Sequence, residues 1–288
     1  MKSGGIALLS LGLGRRLTWA TTEPPLVVCL FQRGAADGLS MLVPHADPLY
    51  YRARPRIAIP ARDVVDLDGH FGLHPALTPL KTLWENKSLA VFPAVGAPLV
   101  LRSHLDAQDR LDDWLNRSGA VRFGSLREIA RRIKARTAPE LSVASVGGWD
   151  THFNQGSSEG QLATRLRELG LGLAAFAQKL GDGMRNVVVL TMSEFGRTIA
   201  ENGYGGTDHG HATAMLVLGG AVNGGKVLGR WPGLDPVSRF DGRDVAVTTD
   251  LRDLFGEILV RHQGAADLGA VFPGFSTNPE RFPGAIRT

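Results

Sequence analysis

The sequence predicts an α/β protein built on one mostly parallel sheet with helices on both faces. Three observations point there. Short, continuous apolar runs recur along the chain, and segments with helical spacing of apolar residues alternate with them. Unusual polar residues and glycines then come directly after the apolar runs, at the sheet edge where ligands bind in such folds.

The first run, Leu26 to Phe31 (LVVCLF), lacks polar alternation, as expected of a strand buried on both faces. Leu89 to Val95 (LAVFPAV), Leu141 to Val146 (LSVASV), Val187 to Met192 (VVVLTM) and Met215 to Leu218 (MLVL) repeat the pattern. Between them, Ala107, Leu111, Trp114 and Leu115 share one helical face. Leu162, Leu166, Leu169, Leu173, Phe176 and Leu180 form a longer stripe, and Leu251, Leu254, Phe255, Ile258 and Leu259 a shorter one. No fixed-period repeat or low-complexity linker interrupts the series, so residues 21–288 read as a single domain.

Composition narrows the chemistry. With 43% hydrophobic and 21% charged residues, the chain is neither disordered nor a polytopic membrane protein. One cysteine excludes an intrachain disulfide framework and any Cys-rich zinc site, so reactivity rests on Asp, Glu, His, Ser and Thr. Glycine is in excess, 36 of 288 residues, against about 7% in average usage. The net charge of +4 comes from 32 Lys and Arg spread among 28 Asp and Glu. The dense group Arg127, Arg131, Arg132, Lys134 and Arg136 reads as a solvated helix face, the alternative being a nucleic-acid or membrane patch; no aromatic ladder accompanies it.

At the amino terminus, Ile6 to Leu13 form an apolar run too short to span a bilayer. The run suits the core of a secretory signal with a cleavage site after Ala20, so residues 1–20 read as an incomplete export signal. The alternatives are a frayed helical tail or a true start further upstream. The corresponding expectation is a periplasmic or exported protein, with a cytoplasmic one as the alternative.

The strongest motif is Thr207-Asp208-His209-Gly210-His211. A Gly-flanked turn lets an adjacent Asp and His face one cation, and His211 adds a further nitrogen; the plain alternative is a capped turn. Asp150 and His152 stand two apart, so in extended backbone both face one way. They suit two ligands, a ligand and its supporting partner, or an Asx-turn at the Gly147-Gly148 bend. Asp37, between a strand end and Gly38, is either a ligand or a turn residue. Ser103 opens a helix in the box Ser-His-Leu-Asp, which serves capping and also places a hydroxyl among free N–H groups that hold oxyanions. Glu194 and Arg197 either ligate metal and pair with an anionic substrate, respectively, or form a salt bridge.

Together the segments LFQRGAADGLSMLVP, LRSHLDAQD, GGWDTHFNQG, TMSEFGRT and GGTDHGHATAMLVLGG, with GRWPGL and VTTDLRDLFGEIL, resemble the DUF1501 family of bacterial proteins, from about Leu26 to Phe275. The resemblance implies an alkaline phosphatase-like three-layer sandwich, since the family is related to the alkaline phosphatase and sulfatase superfamily. It also implies twin-arginine export, because SGGIALLSLGLG is similar to the segment just after the twin arginines in relatives. Carried over by position, Asp37 matches the first-strand metal aspartate and Ser103 the nucleophile. Asp150 and His152 match the first-metal Asp and His, and Asp208-His209 the pair of the second metal. The Asp150 to His152 spacing is shorter than the superfamily's, the late His ligand is absent unless His211 substitutes, and the chain is shortened between Asn116 and Leu141. The sulfatase branch is disfavoured, because Cys29 lies inside a strand run and Ser103 is followed by His-Leu-Asp.

The function implied by the resemblance is hydrolysis of phosphate or similar anionic esters. Two divalent cations, zinc or manganese, would be held about 4 Å apart by Asp37, Asp150, His152, Asp208, His209 and His211. Ser103 attacks and Arg102 or Arg197 clamps the anion. The implied partner is a small anionic substrate, with no nucleic acid and no stable membrane span. The rival reading is a non-catalytic exported binding or assembly protein that keeps the fold. A phosphomutase would need a phosphate acceptor site that no motif supplies.

Overall fold

The computed structural model describes residues 24–97, 104–276 and 278–288. The run Ile6 to Leu13, and both Arg102 and Ser103, lie outside the described residues. All five apolar runs form strands of one sheet: β1 (Leu26–Gln32), β2 (Leu89–Gly96), β4 (Leu141–Val146), β5 (Val187–Met192) and β6 (Thr213–Gly219). Three short strands join them: β3 (Val121–Phe123), β7 (Lys226–Val227) and β8 (Thr249–Asp250). They are too short and too polar to stand out as apolar runs.

The strands lie in the order β7-β2-β6-β5-β1-β4-β3, with β8 pairing the far end of β2. Every pair is parallel except those of β6, which runs antiparallel to both β5 and β2. The sheet is therefore mixed but mostly parallel. The reversal follows from the β5–β6 connection, residues 193–212, which contains no helix. A parallel return requires a crossover to the opposite edge, whereas this loop leaves and re-enters at the same edge.

Register gathers the loops. Gln32 of β1 lies opposite Val146 of β4, and Phe31 opposite Met192 of β5. The segments after these three strands consequently start side by side, together with the entry to β6.

Strand alternation divides the core between the two faces. Val28 and Leu30 of β1 and Val189 of β5 pack under the helix α3 (Gln161–Leu180), whose six-residue stripe Leu162, Leu166, Leu169, Leu173, Phe176 and Leu180 is buried throughout. Val27, Cys29 and Phe31 point the other way. They meet Trp114 and Leu115 of α1 (His104–Arg117) and Leu251, Leu254 and Phe255 of α4 (Leu251–Glu257). Helices thus cover both faces, as the sequence predicts. On α2 (Leu126–Lys134), Ile129 and Ala130 are buried, while Arg127, Arg131, Arg132 and Lys134 are exposed, the solvated face expected of that basic group. Among the described residues, no helix is long and apolar enough to cross a membrane.

A cavity of about 620 Å³ opens between α2 and α3 and is lined mainly by apolar groups such as Leu126, Leu169 and Phe176. It contains none of the motif residues, which lie on the loops at the carboxyl edge.

Candidate metal centre

The turn after β1 is held from both sides. Gly34 and Ala35 have φ of +115° and +64°, so successive N–H groups point one way and the carbonyls the other. The N–H groups of Gly34 and Ala35 donate to the Glu194 carboxylate at 3.1–3.2 Å, and that of Ala36 to Ser193 Oγ at 3.0 Å. The carbonyls of Gly34 and Ala35 accept from Arg197 Nη2 at 2.6 Å and Nε at 2.7 Å. Glu194 is thus engaged in holding backbone.

Arg197 is fully buried and also donates to the carbonyls of Thr207 (2.9 Å) and Trp149 (3.2 Å) and to Asp150 Oδ1 (2.5 Å). One guanidinium ties together the loops after β1, β4 and β5. Its donors are spent inside the protein and do not project toward a substrate.

The 193–212 loop is zipped at its neck. Gly196 N–H donates to His211 O, Gly210 N–H to Gly196 O and Thr198 N–H to Asp208 O, at 2.9–3.0 Å. A Cβ on Gly196 would lie 1.7 Å from the Ala212 carbonyl oxygen, so only glycine permits this approach. Gly196→Ala is expected to force the two arms apart, cost about 1–3 kcal/mol as overpacking does, and lower the thermal midpoint by several degrees. A melt followed by circular dichroism checks it; an unchanged midpoint would contradict the tight neck.

Asp150, His152 and His209 converge on this scaffold. Each offers a ligand atom, and these atoms all lie within 4.8 Å of one another. His152 Nε2 is 3.1 Å and His209 Nε2 3.2 Å from Asp150 Oδ1. Such separations are close to the roughly 3.3–3.6 Å between ligand atoms of a tetrahedral ion with bonds of about 2.0–2.2 Å. His152 Nδ1 faces Asp208 Oδ1 at 3.1 Å, and Asn202 Nδ2 donates to the same oxygen at 3.0 Å. Asp208 thus stands behind His152, turning Nε2 toward the cluster, as carboxylates do for metal-bound imidazoles.

Burial raises the carboxyl pKa of Asp150, but hydrogen bonds from Arg197 and His209 outweigh it and hold the group below the usual range. The Asn202 hydrogen bond, with that of His152, lowers Asp208. Burial pushes His209 below the ordinary imidazole value, favouring the neutral, ligating form.

The remaining motif residues are placed differently. Asp37 is fully buried and bidentate with Arg54: Oδ2 to Nη1 at 2.6 Å and Oδ1 to Nη2 at 3.0 Å. Ser40 Oγ (2.8 Å) and Gln155 Nε2 (2.7 Å) donate to the same carboxylate. Burial alone would raise its pKa; the Arg54 charge and these hydrogen bonds bring it below the ordinary value. Asp37 is not part of the three-residue cluster but is tied to its loops through Gln155, whose Oε1 accepts from Thr151 and Thr207. His211 stacks on Phe240, with ring centroids 4.0 Å apart and planes at 15°, also outside the cluster.

Sequence reading did not single out Arg54, Gln155, Asn202 or Arg243. Only Asn202 carried a local cue, the turn dipeptide Asn-Gly. Arg243 reaches the His209 carbonyl at 3.2 Å and pairs with Asp244 at 2.9 Å.

The family described as "Protein of unknown function (DUF1501)" matches residues 101–282, more than half of the chain. No curated protein matches it.

Proposed function

This chain belongs to the DUF1501 family, and from that membership and the geometry of its loops we propose that it is a metal-dependent hydrolase of phosphate or similar anionic esters. The proposal includes an alkaline phosphatase-like sandwich, a zinc or manganese ion and export to the periplasm. The observation that carries the metal reading is the position of His152 between two carboxylates, Nδ1 on Asp208 and Nε2 on Asp150. A neutral imidazole has one N–H, so it can donate to only one of them; a cation at Nε2 would replace the missing proton. The mixed carboxylate and imidazole donor set fits zinc or manganese.

In this reading Asp150, His152 and His209 hold the ion, Asp208 orients His152, and Arg197 fixes Asp150. When bound, the ion supplies Lewis-acid stabilisation of an anionic ester. Ser103 remains the proposed nucleophile and Arg102 the proposed clamp, on the resemblance. Arg243 is a second candidate for the clamp, because its half-exposed guanidinium lies on the Asp208–His209 loop.

One observation favours the rival, non-catalytic reading. Asp37 is neutralised by Arg54 in a fully buried pair, so the gathered ligands suit one ion rather than two. Metal analysis combined with a panel of aryl and alkyl phosphate esters separates the readings. Wild type is expected to carry about one ion per chain. Asp150→Ala should lose it, whereas Asp208→Ala should weaken its affinity about 10–100-fold, as loss of a supporting carboxylate does. A metal-free wild type sinks the metal centre; bound metal without turnover leaves the binding protein.

A further inference from the structure

Ring contacts run across the cluster and beyond it. Centroids are 4.8 Å apart for Phe195 and His209, 4.7 Å for His209 and His152, 6.5 Å for His152 and Phe153, and 5.1 Å for Phe153 and Tyr204. The imidazoles are accounted for by ligation. Phe153 and Tyr204 are not: they remain 59% and 68% exposed. Single exposed apolar side chains need no explanation, but two in contact at the rim of a site form a contiguous apolar surface, the usual mark of a binding region.

The pair is held in place by backbone. Asn154 N–H donates to Tyr204 O at 3.1 Å and Gln155 N–H to Gly205 O at 2.8 Å, a short ladder between the 147–155 and 199–206 segments. Tyr204 N–H donates to Asn202 Oδ1 at 2.9 Å, and Asn202 in turn donates to Asp208 and to the His152 carbonyl. The residue that orients the cluster also fixes the aromatic rim. Surface fixed before a ligand arrives binds with a smaller ordering cost. The rings meet at 52°, a tilted contact between two side chains that both stay more than half exposed.

We propose that Phe153 and Tyr204 form a subsite for the ring of an aromatic ester, so that the Asp150–His152–His209 site prefers aryl over small alkyl esters of phosphate or a similar anion. The inference rests on the reading that the cluster holds a cation and binds an anionic group. Both side chains are uncharged, so recognition comes from apolar area and from offset or edge-to-face ring packing. The anion is left to the cluster, one ring neighbour away.

Calorimetric binding of phenylphosphonate and methylphosphonate tests this without turnover, because the P–C bond is not hydrolysed as an ester. The manganese-loaded full chain is compared with Phe153→Ala, Tyr204→Ala, the double variant, and Leu171→Ala, an exposed change on α3 outside the row of rings. Wild type and Leu171→Ala should bind the phenyl compound at least about tenfold more tightly than the methyl compound, the scale of one to two ring contacts. The double variant should keep its metal and lose most of that preference. Equal binding of the two compounds by wild type, or a preference that survives in the double variant, overturns the subsite and leaves the metal centre standing. Failure of the metal-loaded wild type to bind either compound overturns the ester reading and this inference with it.

Discussion

Arg197→Met is expected to lower stability by about 3–5 kcal/mol, because it removes the donors that satisfy four backbone carbonyls on three loops. The carbonyls of Gly34, Ala35, Trp149 and Thr207 all accept from this one buried guanidinium. Leaving a buried acceptor unpaired costs about 1–3 kcal/mol each. Local opening to water brings the total below the simple sum. Arg197→Lys should recover little, since a compact ammonium with three donors cannot reproduce the planar fork. Asp150 would lose the hydrogen bond that fixes its carboxylate, so metal affinity should fall along with stability. Urea unfolding with the m-value compared between variants reads the stability change; a loss below about 1 kcal/mol would mean the loops do not depend on this residue.

Asp37→Leu is expected to cost about 3–5 kcal/mol for a different reason, the stranding of a charge. Arg54 is fully buried, and without Asp37 its guanidinium keeps, among the described residues, hydrogen bonds to the Ile199 and Thr198 carbonyls and Ser40, none of them a countercharge. Adding Arg54→Met to Asp37→Leu should restore part of the loss, although those two carbonyls then go unpaired; a double variant no more stable than the single would contradict the stranded-charge account. The same pair sets an acid dependence. The folded-state pKa of Asp37 is depressed, so its contribution is fully present above the unfolded carboxylate value of about 3.9 and is lost as pH falls through the folded value. Wild-type stability should therefore fall in acid more steeply than that of the double variant, whose profile lacks this group.

The strands were legible because burial on both faces leaves continuous apolar runs, and the α3 stripe because six large residues keep one helical face. Strand direction was not legible. The reversal of β6 depends on what the 193–212 connection does in space, and an apolar run reads the same in either direction. At the site, the two-apart spacing of Asp150 and His152 and the adjacency of Asp208 and His209 drew attention to the loops that converge. Their relative placement required coordinates: Asp208 lies behind His152 rather than among the three clustered side chains. Arg54 could not be found, since an arginine among Tyr50, Tyr51 and Arg52 looks like surface until the fold carries it beneath Asp37. Glu194 carried a plausible metal-binding chemistry, but the positive φ of Ala35 turned two N–H groups onto it instead.

The neck at Gly196 and Gly210 separates two demands on one polypeptide. Below it, strands β5 and β6 must keep their register for the core to close. Above it, residues 199–206 are tied to the neighbouring loops, and Gly203 and Tyr204 at the tip are exposed, so a substitution there need not propagate into the sheet. That arrangement lets the side chain at Tyr204 be exchanged while the fold beneath it stays constant.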